Sequence, residues 1–320
     1  MPFGTRTSTA TIVGMTDTPH TRIGWLDLPA AVRFRIETIV GGGRVETAVS
    51  QRGGFSPGTA DRVTTETGRR AFVKAVHPAI NSRSAELARM ETRVSTALPR
   101  TAPVPQLLGA FDDDDWVVLV LEDVDGAQPR TPWVEVEFDA ALAALTELAA
   151  AVTPSPVGDL PTTAERFAED FASWDRIAAD PPADLDPWLA GRLPELATAA
   201  KRSLDALSSG NTLVHCDIRA DNMLVRHDDG RVVIVDWPWG ANGPEWVDRL
   251  LLGVNVYVHG GDPARALDTV DPAVVTDFLA GLVGYFEHIC RLPPPPAIPT
   301  VRAFQRRQAD ALRPWLRERL

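Results

Sequence analysis

Apolar residues at Val32, Ile36 and Val40 recur every four positions, the spacing of one helix face, and Gly41, Gly42 and Gly43 stop the pattern. The period then changes. Residues 45–51, 60–65 and 70–76 alternate in polarity and are punctuated by Gly53, Gly54, Gly58 and Gly68, which predicts three strands joined by two turns. Asn81 or Ser82 is placed to cap a helix carrying Leu87, Met90, Val94 and Leu98 on a common face. After Pro103 and Pro105 two further strands are expected, the second ending in residues 116–123, with the acidic run at 112–115 as the turn between them. That run lacks the ligand spacing of an EF-hand and reads as a solvated turn.

Downstream of Gly126 the pattern becomes helical, as in residues 138–152 with Leu142, Leu145 and Leu148. A Pro-rich connection follows at 152–161, and residues 293–296 form a stiff spacer before a terminal helix. Residues 1–23 are rich in Thr, Gly and Pro without a sustained period and read as a mobile arm. No internal repeat is visible. Strands first and helices afterwards predict an α+β chain of two lobes. The expected divisions are the arm, a first lobe over 24–122, a hinge over 123–127 and a helical lobe over 128–320.

One stretch of the helical half carries chemistry. Residues 213–222 read LVHCDIRADN, and an apolar run at 232–235 leads from a turn at Asp229 and Gly230 into Asp236. A loop beside a hairpin would bring Asp217, Asn222 and Asp236 together. A hydroxyl attacking the γ-phosphate of a nucleotide must be oriented and lose its proton, and a carboxylate at Asp217 can do both. Magnesium is a hard cation that prefers oxygen, so the amide of Asn222 and the carboxylate of Asp236 suit it as ligands. Arg219, two residues beyond the candidate base, can offset charge on the transferring group.

Composition narrows the partners. The net charge of −11 over 320 residues leaves no basic surplus for nonspecific nucleic-acid binding, while it is compatible with a cationic small molecule. Two cysteines, Cys216 and Cys290, give neither a disulfide framework nor metal-ligand spacing, so a reducing cytoplasm is expected. No apolar run is long enough to span a bilayer, and the first residues lack a secretory pattern, so no membrane association is expected.

The run from His215 to Asn222 resembles the H-R-D-x-x-x-x-N catalytic loop of protein kinases. With Trp237 after the second Asp in place of Phe-Gly, the chain is more similar to the aminoglycoside phosphotransferase family of small-molecule kinases, over roughly residues 30–260. The resemblance implies a bilobal protein-kinase-like fold, ATP as donor with GTP left open, and Mg2+. It makes Lys74 the strand lysine that holds the α- and β-phosphates. It gives Lys74 a helix carboxylate as brace, Glu91 by the spacing of Glu91, Val94 and Leu98, with Glu86 as competitor. Ser56 and Gly58 fall where kinases carry the glycine-rich loop, although the G-x-G-x-x-G spacing is absent. Glu122 and Val124 fall in the hinge whose backbone reads the adenine edge.

The departures also carry meaning. Cys216 replaces the Arg that contacts a phosphorylated activation loop, and the few residues between Asp236 and Pro244 leave no room for such a loop. Trp237 and Pro238 replace the Phe-Gly pair that permits switching, so Asp236 should be held constitutively. Asp248 resembles the Asp that supports the catalytic loop, and His215 reads as a packed anchor of that loop. For the acceptor, a hydroxylated small molecule that can carry positive charge, the candidate pocket residues are Trp239, Glu245, Trp246, Asp262, Gln305 and Arg306. An amino sugar, aminoglycoside or related antibiotic leads as acceptor, with choline or homoserine as other hydroxylated metabolites. A protein kinase and a nucleotide-binding pseudokinase are the alternatives.

Overall fold

The computed structural model describes residues 23–51, 58–113, 115–295 and 298–320. The expected N-terminal arm, Ser56 and most of the Gly53–Gly58 turn lie outside these residues.

The first half is a sheet covered on both faces. Helix α1 (Ala30–Val40) precedes strands β1 (Val45–Ser50), β2 (Thr59–Thr65) and β3 (Arg70–Val76). Helix α2 (Ser82–Ala97) follows, then β4 (Leu107–Asp112) and β5 (Val117–Leu121). All pairings are antiparallel in the order β1-β2-β3-β5-β4. Alternation along β3 decides which side chains meet which helix. Ala71, Val73 and Ala75 join Val63, Val118 and Val120 beneath Val32, Ile36 and Val40 of α1. Val76 on the opposite face packs with Val117, Leu119 and the α2 residues Ala85 and Ala88. Phe72 and Lys74 share that second face and look into the cleft. The Asn81 side chain caps α2 by accepting from the Ser84 amide at 2.8 Å.

The second half is mainly helical. Short strand β6 (Gly126–Ala127) leads into α3 (Glu135–Ala151), α4 (Thr163–Phe171), α5 (Ser173–Ala179), α6 (Pro187–Ala190) and α7 (Leu193–Leu207). Four short strands follow, β7 (Thr212–Val214), β8 (Met223–Arg226), β9 (Val232–Ile234) and β10 (Ala241–Gly243). Helices α8 (Trp246–Val258), α9 (Ala264–Leu267), α10 (Pro272–Ile289) and α11 (Val301–Arg319) complete the chain. The core of this lobe runs through Phe167, Trp174, Leu196, Leu250 and Phe278, and it reaches Val94 at the end of α2, which ties the two lobes together.

The hairpin expected around Asp229 is β8–β9, and Gly230 takes the left-handed conformation at its tip, φ 70°. The pairing of β7 with β10, and of β6 with β8, was not visible in the sequence, because these strands are two to four residues long. Runs that short carry no period. The result is the α+β, bilobal, protein-kinase-like architecture that the sequence implied.

Candidate active site

Elements of both lobes meet around one cavity of about 1140 Å³. That exceeds the roughly 300–1,000 Å³ of a pocket for one small ligand and suits two substrates.

The catalytic loop lies between β7 and β8, and its shape is imposed by two buried side chains. Asp248, near the start of α8, accepts the His215 amide at 2.8 Å and the Cys216 amide at 3.1 Å. Those two bonds hold Cys216 in the left-handed region, φ 65°, where a residue with a side chain is strained. Burial raises the pKa of Asp248, and His215 with the two amides opposes it. The His215 ring accepts from the Asp217 amide through Nδ1 at 3.2 Å. Its Nε2 therefore donates to the Val235 carbonyl at 3.0 Å. That is the neutral tautomer, in keeping with the lowering of its pKa by burial. The ring also stacks edge-on against Trp237, with centroids 4.7 Å apart. Burial pushes the Cys216 thiol well up, which leaves it an inert packing group.

Asp217 faces the cavity within this frame. Its carboxylate accepts from Asn222 Nδ2 at 2.9 Å and from Arg219 at 2.8 Å. Asn222 also donates to the Asp217 carbonyl at 2.7 Å, so its amide nitrogen is committed and its oxygen is left for a cation. The pKa of Asp217 is pushed up to about 6, by burial first and then by Asp236, against the pull of Arg219 and Asn222. Arg219 stands on the base itself: its guanidinium bonds Asp217 and makes a two-point contact with Asp221 at 2.9 and 3.0 Å.

Lys74 joins the lobes. Its ammonium lies 2.8 and 2.9 Å from the Glu91 oxygens and 2.6 Å from Asp236. Burial alone would lower its pKa, but Asp236 and Glu91 outweigh it and keep the lysine charged. Asp236 is correspondingly held low: Lys74 overcomes the effect of burial. Glu86, the other sequence candidate, pairs with Arg83 on the surface. Asp236 sits two residues beyond β9 at φ 70°, a second strained position opening on the cavity. Among the described residues no group of three or more His, Cys, Asp or Glu converges as a metal cage. Magnesium carried in with nucleotide phosphates needs only one or two protein oxygens, which Asn222 and Asp236 can supply.

On the nucleotide side, Gly58 precedes β2 so closely packed on β3 that a Cβ would lie 2.5 Å from the Ala75 carbonyl oxygen. Glu122 gives its amide to Gln106 and Val124 gives its carbonyl to Arg62. The Glu122 carbonyl and the Val124 amide have no partner among the described residues. This leaves one acceptor and one donor along the hinge. Asp123, buried between them, bonds Arg62 at 2.6 Å and Arg70 at 2.5 Å, and so clamps the hinge to β2 and β3. Sequence reasoning missed this clamp. Its signal was Arg62, a cation within a largely buried strand.

The acceptor side needs correction. Trp239 and Gln305 line the cavity, but Glu245, Trp246, Asp262 and Arg306 do not. Glu245 is exposed before α8, Asp262 accepts the Ala264 amide, and Arg306 faces Asp184 and Glu287. Trp246 packs on the helical core. In their place stand Arg166, Asp170, Tyr285 and Phe304, from helices whose inward faces only the packing reveals. The expectation of a cationic acceptor drew on Glu245 and Asp262 and loses that support.

A two-lobed fold with a carboxylate, an amide and a second carboxylate around one cavity, opposite a braced lysine, is that of a kinase-like phosphotransferase of small molecules. Residues 52–271 match the model of the phosphotransferase enzyme family. The chain belongs to that family. No curated protein is significantly similar in sequence. Among solved structures, the aminoglycoside phosphotransferase APH(2″)-IIia in complex with GDP and kanamycin superposes with a TM-score of 0.62 at 14% identity, over 91% of this chain and 98% of that one. Spectinomycin phosphotransferase, APH(9)-Ia, with ADP and spectinomycin gives 0.57 at 12% identity, over 91% and 94%. The amicoumacin kinase hAmiN in complex with AMP-PNP, Ca2+ and Ami gives 0.55 at 14%, over 88% and 94%. At these identities the likeness is one of fold.

Proposed function

We propose that the protein moves the γ-phosphoryl group of ATP to a hydroxyl of a small molecule, with Mg2+ bound at Asn222 and Asp236. The observation that carries this reading is the convergence of Asp217, Asn222, Lys74 and Asp236 on one cavity. The acceptor hydroxyl donates to Asp217, which takes its proton as the hydroxyl oxygen bonds to phosphorus and ADP leaves. Asn222 fixes the carboxylate, and Lys74, braced by Glu91, binds phosphate oxygens. Magnesium, when bound, offsets charge on the phosphates. Arg219 offsets the charge of Asp217 and Asp221 between turnovers.

The Glu122 carbonyl and Val124 amide match the donor and acceptor of an adenine edge. The residues before the hinge at 123–127 form the nucleotide lobe, with Gly58 beside the phosphates, and those after it form the acceptor lobe. The acceptors named for the structural neighbours, kanamycin, spectinomycin and hygromycin B, make aminoglycosides and related antibiotics the first compounds to try, followed by choline and homoserine. Two free thiols and the absence, among the described residues, of any helix able to cross a membrane support a cytoplasmic setting.

The test is ADP or GDP formation from MgATP or MgGTP across a panel of hydroxylated acceptors. Acceptor-dependent ADP formation that disappears without magnesium is expected. Nucleotide binding with no transfer to any acceptor would instead favour a binding role.

A further inference from the structure

The acceptor end of the cavity holds two cations that the chemistry above does not use. Arg166, on α4, brings its guanidinium carbon 5.6 Å from the centre of the Trp239 ring. Arg83, in the first turn of α2, comes to the same distance from the same ring. Both line the cavity. Arg83 has a well-exposed partner in Glu86 at 2.8 Å, a pairing worth little in water. Arg166 has no ion-pair partner among the described residues, and its Nε is buried without a hydrogen-bond partner. Asp170, one turn further along α4, shares the cavity wall and attracts Arg166 electrostatically, but does not come within ion-pair distance of it.

Leaving a buried guanidinium N–H unpaired is costly, and a second guanidinium converging on the same indole adds repulsion. An anion between them would relieve both, since a guanidinium fork matches the oxygens of carboxylate or phosphate. The ionisation of Arg166 agrees: burial first, and Arg83 in addition, pull its pKa below the usual value. Arg166 also interacts electrostatically with Cys216, the chain neighbour of Asp217, and both arginines line the same cavity as Asp217.

We propose that Arg83 and Arg166 hold an anionic group of the acceptor, a carboxylate or a phosphate, against Trp239, so that the molecule phosphorylated carries an acid as well as a hydroxyl. This rests on the phosphotransfer reading and deepens it: a purely cationic amino sugar lacks the group that the two arginines need. The Trp239 indole forms the floor of the site, and the acceptor hydroxyl extends from it toward Asp217.

The direct probe is sodium sulfate, titrated into protein saturated with MgAMP-PNP so that the nucleotide phosphate site is filled, at constant ionic strength, with tryptophan fluorescence as readout. A saturable change that disappears in Trp239→Phe and weakens at least tenfold in Arg166→Gln is expected, with MgAMP-PNP affinity unchanged in both variants. No saturable response in the wild type, or an equal one in Arg83→Gln/Arg166→Gln, would overturn the proposal. Failure of the wild type to bind MgAMP-PNP would instead sink the phosphotransfer reading. A second arm compares acceptors in which a carboxylate replaces a hydroxymethyl group, such as glycerate with glycerol and serine with serinol. Acid-bearing members should have a kcat/KM at least tenfold higher. A preference for the uncharged or amine members, with sulfate binding intact, would mean that the arginines hold a free ion and would overturn the assignment to the acceptor.

Discussion

Lys74 and Asp236, 162 residues apart in the chain, meet at 2.6 Å across the cleft. The same ammonium holds Glu91 at 2.8 Å, so one cation on a strand of the first lobe fixes both the helix behind it and the metal-side carboxylate of the second. In the proposed reaction Asp236 would hold the metal and Lys74 the phosphate oxygens, with Glu91 as the constant brace.

Removing the lysine should therefore show in two separate quantities. Lys74→Met leaves Glu91, 5% accessible at its side chain, as a buried charge without its cation. Breaking such a pair costs about 3–5 kcal/mol, and much of it should return in Lys74→Met/Glu91→Gln, where the buried Glu91 charge is gone and Asp236, 41% accessible at its side chain, is left to solvent. Chemical denaturation checks this. Calorimetry on the same proteins should show weaker MgATP binding in the single and the double variant alike. Asp236→Ala should weaken magnesium-dependent binding more than magnesium-free binding.

The base sets the pH dependence. Burial pushes the Asp217 carboxyl up to about 6, and in the proposed role it must be deprotonated to accept the acceptor's proton, so kcat/KM should fall about tenfold per pH unit below that value. Its folded pKa lies above that of an unfolded Asp, so ionising this group works against the fold. The corresponding cost is present above about pH 6 and is relieved as the pH falls toward 4. Asp170 is also pushed up to about 6, by burial, and Asp170→Asn tells the two apart. The acid limb of the pH–rate profile should survive in Asp170→Asn. If it disappears there, the limb belongs to Asp170.

Asp248 holds the backbone just before Asp217 and does not line the cavity. Asp248→Asn replaces one of two acceptor oxygens with a donor facing a buried amide, at a cost of about 1–3 kcal/mol. We expect kcat to fall with little change in the KM for ATP, because the displaced group is Asp217 and the phosphate contacts come from Lys74. An equal rise in the KM for ATP would mean that the whole cleft has shifted.

Much of this was legible in the sequence because the catalytic loop is a short-range object. The spacings between Asp217, Asn222 and Asp236 are spanned by one loop and one hairpin, and Lys74 declared itself as a charge on an apolar strand face. Glu91 was chosen over Glu86 by its spacing to Val94 and Leu98, and the ion pair of Lys74 is with Glu91. The acceptor wall was not legible. Glu245 and Asp262 are one residue and two residues before their helices, positions that only packing assigns to the solvent or the cleft. Arg166 and Asp170 flank Phe167 and Phe171 on α4, and the two phenylalanines enter the core, which turns their charged neighbours to the cavity edge. The spacing of those charges was readable, but the direction that they face was not.

The central claim is that Asp217 serves phosphoryl transfer to a small molecule. It is tested most directly by following the label of γ-phosphate-labelled MgATP in the wild type and in Asp217→Asn, with acceptors and protein separated before counting. The account requires label on a small molecule in the wild type, and a turnover lower by a factor of about 10² to 10⁴ in the variant with nearly unchanged MgATP affinity. Label found on the protein alone, or the same turnover in Asp217→Asn, would contradict it.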